Sequence, residues 1–314
     1  MDVDLESQSR WGVIVNPVAG SGKGLSDYPI ISKYFRDNKV IFDSVFTEKK
    51  YHAIELTVEF INKGYRKLIV VGGDGTFNEV VNGIFHQKSV ETTDIKLAVI
   101  AVGTGNDWIR MHGVPKKYNE AIKAIVDGKT FLQDVCKIGF YEAKVHQTRY
   151  MANMAGIGFD AMVNRQYNRM KQKGYKTKLL YIYSMLYTLT HYRSVKMDVR
   201  IDGNDVVDEK ILTGALAIGK FNGGGMIQAP LAIADDGLLD ITIIKKMSNL
   251  NVLRYAKYLF NGEIYNVPGS MFFRGREVTI SSEKITPIEI DGEAMGYTPF
   301  DFKIISKVLK VIIK

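Results

Sequence analysis

A chain of 314 residues is long enough for about two domains at roughly 150 residues each. Hydrophobic residues make up 46% and charged ones 24%, which excludes a disordered, collagen-like or coiled-coil chain; 42 basic against 34 acidic side chains leave a net charge of +8. That excess favours an anionic partner: nucleotide, nucleic acid or an acidic lipid surface. The longest run of low polarity, residues 179–189, is interrupted by Ser184 and Thr188, short of the ~20 residues a membrane-spanning helix needs. No basic-then-apolar segment opens the chain, and the single Cys136 cannot form an intrachain disulfide, so a cytoplasmic protein is expected.

From Trp11 to about Lys129, short apolar runs at 13–15, 40–46, 68–71 and 97–102 are each followed by a glycine-bearing or polar turn and then, mostly, by a segment of helical period. This alternation predicts βαβ units on a parallel sheet, an α/β domain over residues 9–131. The clearest helix covers 76–85, where Phe77, Val80, Val81, Ile84 and Phe85 recur at helical spacing and Thr76 with Glu79 reads as a capping box. Beyond Phe131 the texture changes. Runs rich in β-branched and aromatic residues at 135–140, 195–201, 211–218, 238–244, 278–280, 288–290 and 308–313 predict an antiparallel sandwich or barrel over 132–307, with helical insertions at 161–192 and 248–260. The last strand, about 308–314, is expected to return to the first domain.

Three turns of the first domain fall at the carboxyl ends of predicted strands, where open α/β sheets bind ligands. The first is Asn16-Pro17-Val18-Ala19-Gly20-Ser21-Gly22-Lys23-Gly24, which can offer several backbone N–H groups to a phosphate but is only superficially a P-loop, with Pro at 17 and Gly at 24. The second is Gly72-Gly73-Asp74-Gly75-Thr76, whose glycines permit close backbone approach and whose following helix presents free N–H groups and a partial positive charge. The third is Gly103-Thr104-Gly105-Asn106-Asp107, whose composition suits tight backbone approach and whose Asp107 is a second carboxylate that could meet the first near one nucleotide. The five histidines show no zinc spacing. Residues 165–178 carry Arg165, Arg169, Lys171, Lys173, Lys176 and Lys178 with no acid, and an aromatic and aliphatic stretch follows to Tyr187. Basic charge beside such a stretch suits a peripheral anionic membrane surface, though a solvated charge run leading into a core helix gives the same pattern. No nucleic-acid reader motif is present.

These turns, with Asn78-Glu79-Val80-Val81-Asn82-Gly83, Asn153-x-x-Gly156-x-Gly158-Phe159-Asp160, Asp236-Gly237-x-Leu239-Asp240 and Asp291-Gly292-Glu293, occur in an order and over a span that resemble the diacylglycerol kinase catalytic-domain family, which includes bacterial lipid kinases and the sphingosine and ceramide kinases. The resemblance implies an ATP-binding domain related to 6-phosphofructokinase and NAD kinase, then a β-sandwich that helps to form the lipid site. It implies a nucleotide held by Asn16, Pro17 and Gly20, by Thr47, by Gly72, Gly73, Asp74, Gly75, Thr76 and Asn78, and by Thr104 and Asn106. It also implies Glu293 as proton acceptor, with Asp74, Asp107 and Asp291 as accompanying acids, and a structural Mg2+ on Asp236 and the main-chain oxygens of Ile233 and Leu238. The expected reaction is transfer of the γ-phosphoryl group of ATP to the hydroxyl of diacylglycerol or a related lipid alcohol. Such transfer requires Glu293, distant in sequence from the glycine turns, to be brought to the phosphates by folding. An NAD kinase-like enzyme and a non-catalytic nucleotide- and lipid-binding protein are the alternatives. The acceptor lipid is left open, as is a homodimer formed through an exposed sheet edge.

Overall fold

The computed structural model describes residues 9–103, 105–173, 175 and 180–314. The chain divides into two compact units, one made of residues up to Val135 together with Ser306–Lys314 and the other of Cys136–Ile305.

In the first unit the strands are β1 (Trp11–Val15), β2 (Phe42–Phe46), β3 (Lys67–Gly72) and β4 (Lys96–Ala101). They pair in parallel, β1 with β2 and β3, and β3 with β4. The final stretch of the chain adds a further parallel strand beside β4, Lys310 opposite Lys96 and Val311 opposite Leu97. Val13, Ile14, Leu68, Ile69, Val70, Leu97 and Ile100 are all fully buried, as expected of a parallel sheet covered on both faces. The helices are α1 (Ala19–Ser26), α2 (Tyr28–Asp37), α3 (His52–Asn62), α4 (Asp74–His86), α5 (Asp107–Met111) and α6 (Tyr118–Asp127). One core joins Val13, Ile69 and Ile100 to Ile31 and Phe35 of α2 and to Ile122 and Ile125 of α6. Asp134, fully buried, accepts hydrogen bonds from Lys307 N (2.7 Å) and Ser306 Oγ (3.1 Å), and so anchors the returning segment.

The capping box read at Thr76 and Glu79 does not form. Helix α4 starts earlier, at Asp74, with Gly73 as its N-cap. Glu79 instead accepts the backbone N–H groups of Tyr51 (3.0 Å) and Ala53 (3.2 Å) at the start of α3, because the two helices pack side by side and those N–H groups have no partner within their own helix.

The second unit is built from antiparallel strands: β5 (Thr130–Glu142, from Cys136 on), β6 (Val145–Met151), β7 (Met154–Gly158), β8 (Val195–Ile201), β9 (Asn204–Ala217), the short pair β10 (Phe221–Asn222) and β11 (Met226–Ile227), β12 (Leu239–Lys245), β13 (Ser270–Gly275), β14 (Glu277–Ser282), β15 (Pro287–Ile290) and β16 (Glu293–Ile312, as far as Ile305). Two long strands change partners along their length. β9 pairs with β8 through its first half and with β7 and β12 through its second, while β16 pairs first with β15 and then with β14. Strands that switch sheets in this way close a sandwich around one core. The two expected insertions are each divided in two: α7 (Phe159–Gln172) and α8 (Leu180–His191), then α9 (Asn249–Tyr255) and α10 (Tyr258–Asn261). No helix among the described residues is long and apolar enough to cross a membrane.

Candidate active site

The three glycine-bearing turns of the first unit meet one another. Asn16, directly after β1, donates from Nδ2 to Thr76 Oγ1 at 2.8 Å, while its Oδ1 accepts Val18 N at 3.1 Å. Gly20 has φ +61°, and a Cβ there would lie 1.9 Å from the carbonyl oxygen of Val102, so the first turn presses its backbone onto the end of β4 at a point only glycine fits. A Cβ on Gly103 would lie 3.0 Å from the Cα of Gly73, so the second and third turns also touch. Gly20, Ser21 and Gly22 all have left-handed φ, so the expected turn is an irregular opening to α1. Thr47 N donates to Val15 O at 2.9 Å, which puts this buried threonine beside the same strand ends. Pro17 follows at the turn's start, Gly75 lies in the first turn of α4, and Asn78 is fully buried in that helix, its carbonyl and side-chain oxygens both bonded by Asn82.

Asp74 joins the second turn to the third. Its Oδ2 accepts Asp107 N at 3.2 Å and its Oδ1 accepts Trp108 N at 3.4 Å, so one carboxylate caps the neighbouring helix while standing at the start of its own. Asp107 is buried, with Arg110 Nε 3.8 Å from its Oδ1. Asn106 takes a left-handed φ of 55° and donates from Nδ2 to Gly103 O at 2.5 Å. Thr104 lies outside the described residues. Behind this cluster His112 stacks on Trp108, and burial lowers its pKa to about 4, which leaves it neutral. Several backbone N–H groups, two helix starts and two carboxylates therefore gather at the carboxyl ends of β1, β3 and β4, an arrangement suited to a phosphate chain and its accompanying cation.

In the second unit, Asp291 (φ +48°) and Gly292 (φ +82°) form the two-residue turn between β15 and β16, with Ile290 opposite Glu293. The Asp291 carboxylate is buried and accepts three backbone N–H groups, from Ala152 (2.9 Å), Asn153 (3.0 Å) and Met154 (2.9 Å). It holds the turn that carries Glu293. Helix α7 braces the same hairpin: Asn164 Nδ2 donates to Gly292 O at 2.9 Å, while Arg165 donates to Tyr297 OH (2.9 Å), Gly296 O (3.1 Å) and Met295 O and covers the Tyr297 ring. Arg165, counted in the sequence with a surface charge run, is thus committed to the hairpin.

Below the turn lies a polar cluster in which Asp160 and Gly156 belong to a sequence motif, whereas Asn222, Gln228 and Glu289 carry no signal in local sequence spacing. Asn222 Nδ2 reaches both Glu289 Oε1 (2.9 Å) and Asp160 Oδ2 (3.4 Å), and Gln228 Nε2 donates to Asp160 at 3.2 Å. Gly156 leaves the room for it, since a Cβ there would lie 2.7 Å from Asp160 Oδ2 and 2.9 Å from Glu289 Oε1. Glu289 is 1% exposed. Burial, and then the neighbouring Asp160, push its carboxyl well above the usual range; burial raises Asp160 in the same direction. The pair therefore keeps a proton that separate carboxylates would release.

Asp236, expected to hold magnesium, is engaged by a cation of the chain itself. Its Oδ1 accepts Leu238 N at 3.1 Å and its Oδ2 takes the guanidinium of Arg274, which also reaches Asp240 at 3.2 Å. Ile233 is half exposed on the same loop. An oxygen-donor set is right for a hard cation, and here the Arg274 guanidinium lies against both carboxylates. Among the described residues no group of three or more His, Cys, Asp or Glu could hold a metal ion.

The two units agree with two known protein domains. Residues 10–138 match the diacylglycerol kinase catalytic domain, and residues 153–313 match the YegS C-terminal NAD kinase beta sandwich-like domain. The chain belongs to the diacylglycerol kinase catalytic-domain family, and its α/β unit and NAD kinase-like sandwich are those of that family. Among its relatives, "Putative lipid kinase YtlR" of Bacillus subtilis is 29% identical over 306 residues, covering 93% of this chain and 96% of that protein. A diacylglycerol kinase of Staphylococcus carnosus is 29% identical over 299 residues, 94% of this chain and 92% of the other. The crystal structure of a diacylglycerol kinase from Bacillus anthracis superposes with a TM-score of 0.70 at 21% identity, covering 98% of this chain and 97% of that one.

Proposed function

We propose that the protein is an ATP-dependent lipid kinase that transfers the γ-phosphoryl group to the hydroxyl of diacylglycerol or a related lipid alcohol. The observation that carries this reading is the meeting of the three glycine turns at the ends of β1, β3 and β4, with Asp74 bonded to the backbone of Asp107 and Trp108. The nucleotide is assigned to Asn16, Pro17, Gly20, Thr47, the Gly72–Gly73–Asp74–Gly75–Thr76 turn, Asn78, Thr104 and Asn106. Asp74 and Asp107 would hold the magnesium that accompanies ATP, which would neutralise charge on the phosphates. A bond forms between the lipid hydroxyl oxygen and the γ-phosphorus, the bond to the β-phosphate oxygen breaks, and ADP leaves. Glu293 takes the hydroxyl proton, and Asp291 positions the turn that presents it.

The names of the relatives support a lipid acceptor over NAD, as does the full order of motifs from Asn16-Pro17 to Asp291-Gly292-Glu293. A lipid acceptor also calls for a protein that works at a membrane surface, and the cations Arg169, Lys171 and Lys173 with the exposed Ile182, Tyr183 and Leu186 of α8 support that peripheral mode. Lys176 and Lys178 lie outside the described residues. Incubation with labelled ATP, magnesium and either a total lipid extract or NAD tests the reading. A labelled lipid is expected; label in NADP, or in nothing at all, overturns it.

A further inference from the structure

The helices α9 and α10 take no part in the site described above, yet they carry the exposed side chains Leu250 (73% exposed), Leu253 (46%) and Phe260 (62%). Their inner faces are engaged: Val252, Tyr255, Tyr258 and Leu259, partly buried, pack on the cluster that includes Phe159, Leu189, Ile264 and Val267. The outward face is therefore not a product of poor packing. Between Lys245 and Gly262 there is no acidic residue, whereas Lys246, Arg254 and Lys257 are exposed and form no ion pair among the described residues. Arg254 lies over the Tyr255 ring at 5.7 Å and Lys257 over Tyr258 at 5.1 Å, so each cation sits above an aromatic ring whose hydroxyl end is polar.

We infer that this helical segment, residues 248–261, is a docking element for an anionic lipid bilayer. Leucine and phenylalanine tips enter the acyl boundary, the tyrosines lie at headgroup depth, and Lys246, Arg254 and Lys257 meet lipid phosphates. Charge decides between occupants. A second copy of the chain seated on the same face by two-fold symmetry would set one cationic face against another, a like-charge contact with no acid on the face to neutralise it. An acidic lipid surface neutralises every one of them. The assignment deepens the lipid-kinase reading and rests on it for the nature of the substrate, but it is tested without turnover.

The experiment is co-sedimentation of the full chain, without ATP or acceptor, with phosphatidylcholine vesicles that either contain or lack phosphatidylserine. The wild-type protein is expected to sediment with the anionic vesicles and to be released by salt. Leu250→Ser with Phe260→Ser should lower the partition at least tenfold, and Arg254→Glu with Lys257→Glu should lower it by about fivefold or more per charge. Circular dichroism of these exposed-site variants should match wild type, and their phosphorylation of a short-chain acceptor dispersed in water should be retained. Wild-type partition in both variants overturns the docking element, as does a wild-type dimer in sedimentation velocity that the Leu250/Phe260 variant dissolves. If no acceptor is phosphorylated while the partition still depends on these residues, the kinase reading fails and the docking element stands.

Discussion

Asn16 Nδ2 and Thr76 Oγ1, sixty residues apart in sequence, are hydrogen-bonded at 2.8 Å, so the turn after the first strand is fastened to the first turn of the helix behind the second glycine loop. Removing that amide should act on ligand binding more than on folding. Asn16→Ala is expected to cost about 1 kcal/mol of stability, the ordinary net worth of a hydrogen bond, and to raise the KM for ATP about tenfold. Melting curves with and without nucleotide check it: equal stabilisation of both proteins by ATP would detach Asn16 from the nucleotide.

Glu293→Gln keeps the shape of the side chain but cannot take a proton. Turnover should fall by about 10²–10⁴ while ATP affinity stays within a factor of two or so. A variant that phosphorylates lipid at the wild-type rate would remove Glu293 from the reaction.

Asp291 is expected to behave differently from its neighbour. Asp291→Ala leaves three buried backbone N–H groups, those of Ala152, Asn153 and Met154, without their acceptor. At about 1–3 kcal/mol for each unsatisfied group, the loss should reach several kcal/mol and show in denaturant unfolding. Asp291→Asn, which keeps an acceptor oxygen, should recover a measurable part of that stability. Equal midpoints for the Ala variant and wild type would contradict the holding role.

The carboxyl pair beneath the turn predicts a pH dependence of stability. Glu289 has its pKa raised in the folded protein, so the folded state holds a proton that the unfolded chain gives up near its ordinary value of about 4.3. Stability from this group is therefore complete below that value and is lost as pH rises toward the raised folded pKa, at up to about 1.4 kcal/mol per pH unit. Glu289→Gln should flatten the curve and be the more stable protein at about pH 8 to 9. Thermal melts from about pH 5 to about pH 9 decide this, and parallel curves for the two proteins would dispose of it.

Arg274 bridges Asp236 and Asp240. Arg274→Met should leave two neighbouring carboxylates and create a demand for a cation. Millimolar magnesium is then expected to raise the melting temperature of the variant by about 2–4 °C and that of wild type hardly at all. Equal magnesium responses in the two proteins would mean that the arginine does not substitute for a metal.

The parallel sheet was readable because its strands are continuous apolar runs, as in residues 68–71 and 97–102, and the strand Val195–Ile201 because polar and apolar residues alternate. The strand Val145–Met151 was not, since its first four residues are exposed and its pairing, not its composition, makes it a strand. Nor was Met154–Gly158, whose small residues carry little β signal although all five are buried. The glycine turns announced themselves through composition. Asn222, Gln228, Glu289, Arg274 and Asp134 did not, because their partners lie dozens of residues away and no local spacing encodes such a meeting. Glu79 misled for the same reason: its position fits a local cap, but its carboxylate serves a different helix.

The returning segment has a consequence for biosynthesis. Residues 306–314 complete the first unit and follow all of Cys136–Ile305, so the strand beside β4 and the two donors to Asp134 become available only after the intervening unit has been translated. Until then the nascent first unit carries an open edge at β4. Its cooperative folding must wait for late translation, and an amino-terminal fragment ending near Val135 should populate an incomplete, edge-exposed state prone to pairing with other chains.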